Sequence, residues 1–289
     1  MKKPRSFLVI FFIAVIAAAI IVRYAQFIAE IIDFGTGFFL PYAGALKYLH
    51  YIVLGVSFVG FIIFAITEKR RKTSFFTKRL SHLDEADTAS SGIMLLLSGA
   101  AVVYIALTEG FGDYGYVGVL TALLGAAAYC FSGAVLFFKK RTYPSVGIAF
   151  LALSGYYVAR LVMVFLGKYV IINMSEHLVN LLITLFLSLF YLSLGRMFMR
   201  AENKTTRIKV CIFGFTAAFI AVSETVAKLI FLFGSPSVTR DNLMHSSATE
   251  FIEPSVLSVA ETVALVVLLM TLVKPKQEGV KSGKGAVER

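Results

Sequence analysis

The sequence predicts an all-α integral membrane protein, an eight-span bundle of transmembrane helices with both termini in the cytoplasm. Three observations carry this reading. Apolar residues make up 58% of the 289, and they gather in runs of about 20, the length that crosses a hydrocarbon core. Most of these runs lack the alternation of apolar and polar faces that a soluble fold requires. Finally, 22 of the 28 Lys and Arg fall in five segments that alternate along the chain, which is the orientation signal of an inserted protein. The formal charge of +11 is therefore read as topology, and no nucleic-acid partner is expected.

Lys2, Lys3 and Arg5 precede the apolar run Phe7–Val22. No small-x-small cleavage site follows it, so the run reads as a retained first span, about 7–28. After the connector 29–40, Pro41 suits the first turn of a second span, about 42–67, with Lys47 reaching the interface. The longest polar stretch comes next. Its basic half, Lys69–Arg79, carries Phe75 and Phe76 and is expected to lie on anionic lipid headgroups. Asp84, Glu85 and Asp87 suit the positive end of the third helix.

Spans three and four, about 91–108 and 116–138, flank the turn Glu109-Gly110-Phe111-Gly112-Asp113. Small residues recur at Gly118, Ala122, Ala126 and Cys130, with Gly125 and Gly133 beside them, so span four should pack closely on its neighbours. Spans five to eight are expected at about 145–168, 177–199, 209–233 and 252–273. Residues 1–273 then form a single transmembrane domain, and 274–289 a basic, disordered cytoplasmic tail too poor in apolar residues to pack. The N-terminal segment, three alternate connections and the tail hold those 22 basic residues, the intervening connections only Lys47, Lys168 and Arg240. This asymmetry places both termini inside, makes the number of spans even and points to the plasma membrane.

Charges inside the apolar runs mark the candidate site. Each costs about 2.5–3.5 kcal/mol near a bilayer centre, so each faces protein or water. Ser223-Glu224-Thr225-Val226-Ala227-Lys228 places two in span seven, and the near-copy Ala260-Glu261-Thr262-Val263-Ala264 places one in span eight. Counted from the outer ends, Arg160, Glu224 and Glu261 lie about 12–14 Å deep at 1.5 Å per residue. Arg23 lies five residues before the outer end of span one, and Lys228 sits one turn above Glu224. On span six, His177, Asn180, Thr184, Ser188 and Tyr191 recur every three or four residues and share one face. Ser255 and Ser258 lie above Glu261, and Tyr157 lies one turn from Arg160.

The expected site is thus a polar layer in the outer half of the bundle, built from Arg23, Tyr157, Arg160, His177, Asn180, Glu224, Lys228 and Glu261. One reading makes it an outward-facing pocket between spans five and eight that binds or transports a small polar solute. The other makes it a structural ion-pair network, in a sensor or assembly subunit whose basic loops dock a cytoplasmic protein partner.

Neither a catalytic constellation nor a metal or cofactor site is expected. Gly110-Phe111-Gly112-Asp113 matches the GxGD string of intramembrane aspartyl proteases, but it lies in a turn and no second intramembrane Asp accompanies it. Glu224 and Lys228 have the acid-x-x-x-Lys spacing of microbial rhodopsins, without the Trp and the partner carboxylate that a retinal pocket uses. HExxH, Walker A and Cys/His ligand spacings are missing. Cys130 and Cys211 lie inside two different apolar runs, and no disulfide is expected.

Overall fold

A computed structural model of the chain describes residues 3–29, 42, 44–70, 85–108, 115–138, 143–167, 175–199, 205–234 and 255–273. Among the described residues there are eight helices and no strand: α1 Lys3–Ile28, α2 Leu46–Arg70, α3 Glu85–Thr108, α4 Gly115–Phe137, α5 Tyr143–Gly167, α6 Ser175–Phe198, α7 Thr206–Gly234 and α8 Val256–Val273. The first seven are long and apolar enough to cross a membrane. The 18 residues of α8 extend about 27 Å, slightly less than a hydrocarbon core.

The starts of α1, α2, α3 and α8 differ from the expected spans by four residues or more, and two of these differences have a local reason. α2 begins at Leu46 rather than near 42, because Gly44 takes a positive φ of 52°, a left-handed conformation that ends or precedes a helix and suits glycine. α3 begins at Glu85 rather than 91, and Asp87 is favoured in its first turn by the helix dipole. The expected lipid-facing stretch Lys69–Arg79 lies outside the described residues, save for the backbone of Lys69 and Arg70 at the end of α2. Pro41, the Glu109–Asp113 turn and the 274–289 tail also lie outside them.

Helices α3, α4, α5, α6, α7 and α8 pack in that order around a ring, which closes where α8 meets α3. α1 and α2 pack on each other and on α7, outside the ring. α7 therefore touches four helices, and 78% of its span is buried against at most 50% for the other six spans. Where α1, α2 and α7 meet, Phe11, Phe12, Phe61, Phe215 and Phe219 pack edge to face or stacked, with centroids 5.4–6.1 Å apart. Such pairs add to simple area burial. On the far side of the ring, Tyr157 stacks on Tyr191, and Phe150 stacks on both Tyr191 and Phe198, joining α5 to α6.

The small residues of α4 do the packing expected of them. A Cβ added at Gly133 would lie 2.7 Å from the Gly92 carbonyl oxygen, and one at Gly125 would enter the Tyr156 ring. Gly147 and Gly195 bring α5 and α6 together in the same way. At the other edge of α3, the Thr271 hydroxyl lies 2.8 Å from the Ser91 hydroxyl and donates to the Asp87 carbonyl at 3.0 Å, tying α8 to α3. Cys130 is exposed and Cys211 buried, and the two are not joined by a disulfide.

Close packing at Gly133 yields a direct comparison. Gly133→Ala must displace Gly92 backbone or the Leu96 side chain, and overpacking of that kind costs about 1–3 kcal/mol. Gly155→Ala adds a methyl where nothing lies within 4 Å. Melting of the purified variants in detergent should show a clear loss for Gly133→Ala and none for Gly155→Ala.

Candidate functional site

The last turns of α5 and α7 and the first turns of α6 and α8 gather at one end of the bundle. Between them lies a cavity of about 150 Å³. Arg160 enters it from α5, Asn180 and Thr184 from α6, Glu224, Thr225 and Lys228 from α7, and Ser255, Ser258, Glu261 and Thr262 from α8. Ile183, Leu187, Ala221 and Leu265 complete the wall. Ten of these fourteen lining residues are polar or charged, more than in the mostly apolar lining usual for a small-molecule site, and the volume is below the roughly 300 Å³ at which drug-sized pockets begin.

The repeated Glu-Thr-Val-Ala of α7 and α8 builds the centre of this wall. Thr225 and Thr262 meet across the two helices with their hydroxyls 3.2 Å apart. Each threonine follows a glutamate, and the two glutamates diverge toward opposite partners.

Glu224 turns to α1. Arg23 donates from Nε to Oε2 at 2.9 Å and from Nη2 to Oε1 at 3.2 Å, the two-pronged geometry in which a guanidinium binds a carboxylate most strongly. Both side chains are sealed, at 0% and 6% exposure. Arg23 Nη1 also donates to the Gln26 side-chain oxygen at 3.0 Å, and Gln26 Nε2 donates to the Leu46 carbonyl at 2.8 Å. Arg23 lies over the Phe27 ring at 4.9 Å, a favourable cation–π placement. Lys228 Nζ stands 3.4 Å from Glu224 Oε1, one helical turn along.

Glu261 turns the other way, across the ring to α5. Arg160 Nη1 donates to both of its oxygens, at 2.8 and 2.9 Å, and the Tyr129 hydroxyl donates to Oε1 at 3.1 Å. Tyr129 is in turn hydrogen-bonded to Tyr157. This cluster is less closed than the first: Glu261 is 7% exposed, but the Arg160 side chain is 29% exposed.

Of the eight residues the sequence singled out, Arg160, Asn180, Glu224, Lys228 and Glu261 line one cavity. Arg23 lies behind Glu224, away from the lining, and Tyr157 lies beneath Glu261, which it reaches through Tyr129. The side chain of His177 lies outside the described residues. The single layer expected from depth is thus two ion clusters, Arg23–Glu224–Lys228 and Arg160–Glu261–Tyr129. Arg160, for which either glutamate was an available partner, takes Glu261.

Several participants were not singled out. Gln26 and Tyr129 complete the two clusters, while Thr225 and Thr262 were present in the repeated tetrapeptide as the residues beside each glutamate. His50 on α2 is buried, with neither ring nitrogen hydrogen-bonded among the described residues, and it lies within electrostatic reach of Arg23 and Glu224. A lone histidine near the start of an apolar run gives no sign of this in sequence. Among the described residues, no group of three or more His, Cys, Asp or Glu side chains is arranged to hold a metal ion.

Fold and site together are consistent with a multi-pass helical membrane protein carrying a polar cavity at one end. No family model, curated protein or solved structure matches the chain.

The sealed cluster gives a combined-mutant test. Removing one member of a buried ion pair leaves the other charge without compensation and costs about 3–5 kcal/mol. Arg23→Met alone leaves Glu224 with only the longer Lys228 contact and should lower the melting temperature, and combining it with Glu224→Leu and Lys228→Met, which leaves none of the three charges alone, should recover most of the loss. Arg160→Met should cost less, because its side chain is already 29% exposed. Equal losses for Arg23→Met and Arg160→Met would contradict the division into a sealed and an open cluster.

Proposed function

We propose that the chain is an eight-span protein of the plasma membrane, both termini cytoplasmic, which binds a small polar solute from the outer side in the cavity between α5, α6, α7 and α8. The observation that carries this reading is Arg160. A guanidinium embedded at this depth would be covered by partners if its task were only to join helices. Instead its side chain is 29% exposed and borders the cavity.

The outward direction follows from charge. Arg196, Arg207 and Lys209 stand at the end of α6 and the start of α7, opposite the cavity, and the positive-inside rule assigns that end to the cytoplasm. The eighth crossing is supported by the contacts of α8, which bonds to α7 through Thr262 near its start and to α3 through Thr271 near its end. It thereby runs beside two longer helices for most of their depth.

A second reading has its own support. The sealed Arg23–Glu224 pair is built as a structural staple, and α5 to α8 run unbroken among the described residues, whereas transporter sites commonly form where helices break. These features favour a sensor or assembly subunit over a carrier. In that case the basic loops would dock a cytoplasmic partner.

Accessibility tests both the orientation and the cavity. With Cys130 and Cys211 replaced by Ser, a cysteine at Ser258 should react with an impermeant thiol reagent on intact cells, and a cysteine at Ser74 only after permeabilisation. Early reaction at Ser74 would overturn the orientation; protection of Ser258 under both conditions would show that solvent does not reach the cavity. Thermal stabilisation of the purified protein by amino acids, sugars, organic acids and cations then tests solute binding itself.

A further inference from the structure

We infer that the solute is a small hydroxy carboxylate, held as its anion on the uncovered edge of the Arg160 guanidinium. The inference rests on the solute-binding reading above and narrows it to one chemical class.

The argument is an inventory of donors and acceptors around the cavity. A guanidinium has five N–H donors in a fixed plane and no acceptor. Both contacts to Glu261 come from a single nitrogen, Nη1. Among the described residues three N–H groups on Nε and Nη2 remain, and with the outer Nη2 hydrogen turned to the adjoining Tyr156 hydroxyl the parallel Nε and Nη2 pair is left for another acceptor. Two parallel N–H donors match the two oxygens of a carboxylate.

The acidic groups of the wall are, by contrast, already engaged. Glu224 accepts two bonds from Arg23 and faces Lys228 at 3.4 Å. Glu261 accepts from Arg160 on both oxygens and from Tyr129 on one. A cationic solute would have to displace these donors, whereas an anion adds to the donors left over. The Lys228 ammonium in the same wall raises the local potential further in the anion's favour.

The hydroxyls specify the rest of the solute. Thr184 donates to the Asn180 carbonyl at 2.8 Å, Ser258 to the Ser255 carbonyl at 2.8 Å, and Thr262 to the Ser258 carbonyl at 2.6 Å. With their protons committed to the backbone, these oxygens present lone pairs to the cavity and complement an O–H donor on the solute. A volume of about 150 Å³ restricts that solute to a few non-hydrogen atoms and excludes nucleotides and disaccharides.

The test compares two probes of one shape. Wild-type protein in phosphatidylcholine nanodiscs at neutral pH and constant ionic strength is melted with increasing lactate or lactamide, which differ in charge and in one terminal atom. Lactate should stabilise at millimolar concentration, with lactamide weaker by at least about tenfold, because the guanidinium edge loses its anionic partner. Arg160→Lys, which keeps the charge but not the fork, should weaken lactate about tenfold or more. Equal stabilisation by lactate and lactamide overturns the carboxylate and leaves the solute-binding cavity standing. Stabilisation by no member of the wider solute panel overturns both. Inorganic phosphate binding more tightly than lactate, or loss of the lactate effect in nanodiscs containing phosphatidylglycerol, overturns the carboxylate in favour of a phosphate or lipid headgroup. The wild-type comparison stands even where Arg160→Lys does not fold.

Discussion

The two-pronged bond from Arg23 to Glu224 is the constraint on which the remaining arrangement depends. Neither charge is tolerable alone inside an apolar bundle, since the effective penalty is several kcal/mol per buried ion and only good geometry with further hydrogen bonds offsets it. Here the geometry is two-pronged and Gln26 satisfies a third guanidinium nitrogen. The consequence is positional. α1 is the least buried of the spans, at 22%, so apolar packing alone would fix its rotation weakly. The ion pair fixes it. Gln26 then passes the constraint to the start of α2 through the Leu46 carbonyl, and α1, α2 and α7 become one unit behind the ring.

With α7 committed to α1, the ring must be closed by other means. Its two glutamate-bearing helices solve the same problem in different ways. Thr225 and Thr262 hold α7 and α8 side by side, which obliges Glu224 and Glu261 to leave the contact in different directions. One ends in a sealed cluster with 0% exposure on its arginine. The other bridges α8 to α5, on the opposite side of the ring, with an arginine exposed by 29%. A repeated tetrapeptide thus yields a closed staple and an open bridge, the difference arising from what each glutamate meets rather than from the repeat itself.

That division explains what was legible in the sequence. Apolar run lengths located the helices, and the positions of Arg160, Glu224 and Glu261 along their runs located the level of the cavity, because depth scales with residue count. Rotation about the helix axis is a different quantity. It is read from a polar face, and a helix surrounded by lipid and apolar neighbours shows little contrast between faces. Only α6, with Asn180 and Thr184 on one side, displayed its orientation. The choice of Arg23 for Glu224 needed knowledge of which helices are neighbours, which no single run contains. Tyr129 escaped notice for a related reason: a tyrosine in a membrane helix is commonly an interfacial residue, and its role here comes from a hydroxyl meeting Glu261 across the ring.

The aromatic floor decides what occupancy of the cavity can do. Beneath Glu261, Tyr129 bonds Tyr157, Tyr157 stacks on Tyr191, and Tyr191 stacks on Phe150, so rings from α4, α5 and α6 are in continuous contact. Tyr129, Tyr157 and Tyr191 are all buried to within 1%. A solute entering from the open end meets this stack before it meets the far side of the membrane, and passage would require several packed rings to move together. Close-packed interiors respond to such demands by switching between discrete arrangements rather than by deforming smoothly. In the proposed reading, an anion on the other edge of Arg160 would share that guanidinium with Glu261, and any shift of Arg160 would be carried through Glu261, Tyr129 and Tyr157 into the α5–α6 stack. In that reading the bridge bordering the cavity would also link occupancy to helix packing, an arrangement better suited to reporting a bound solute than to letting it through.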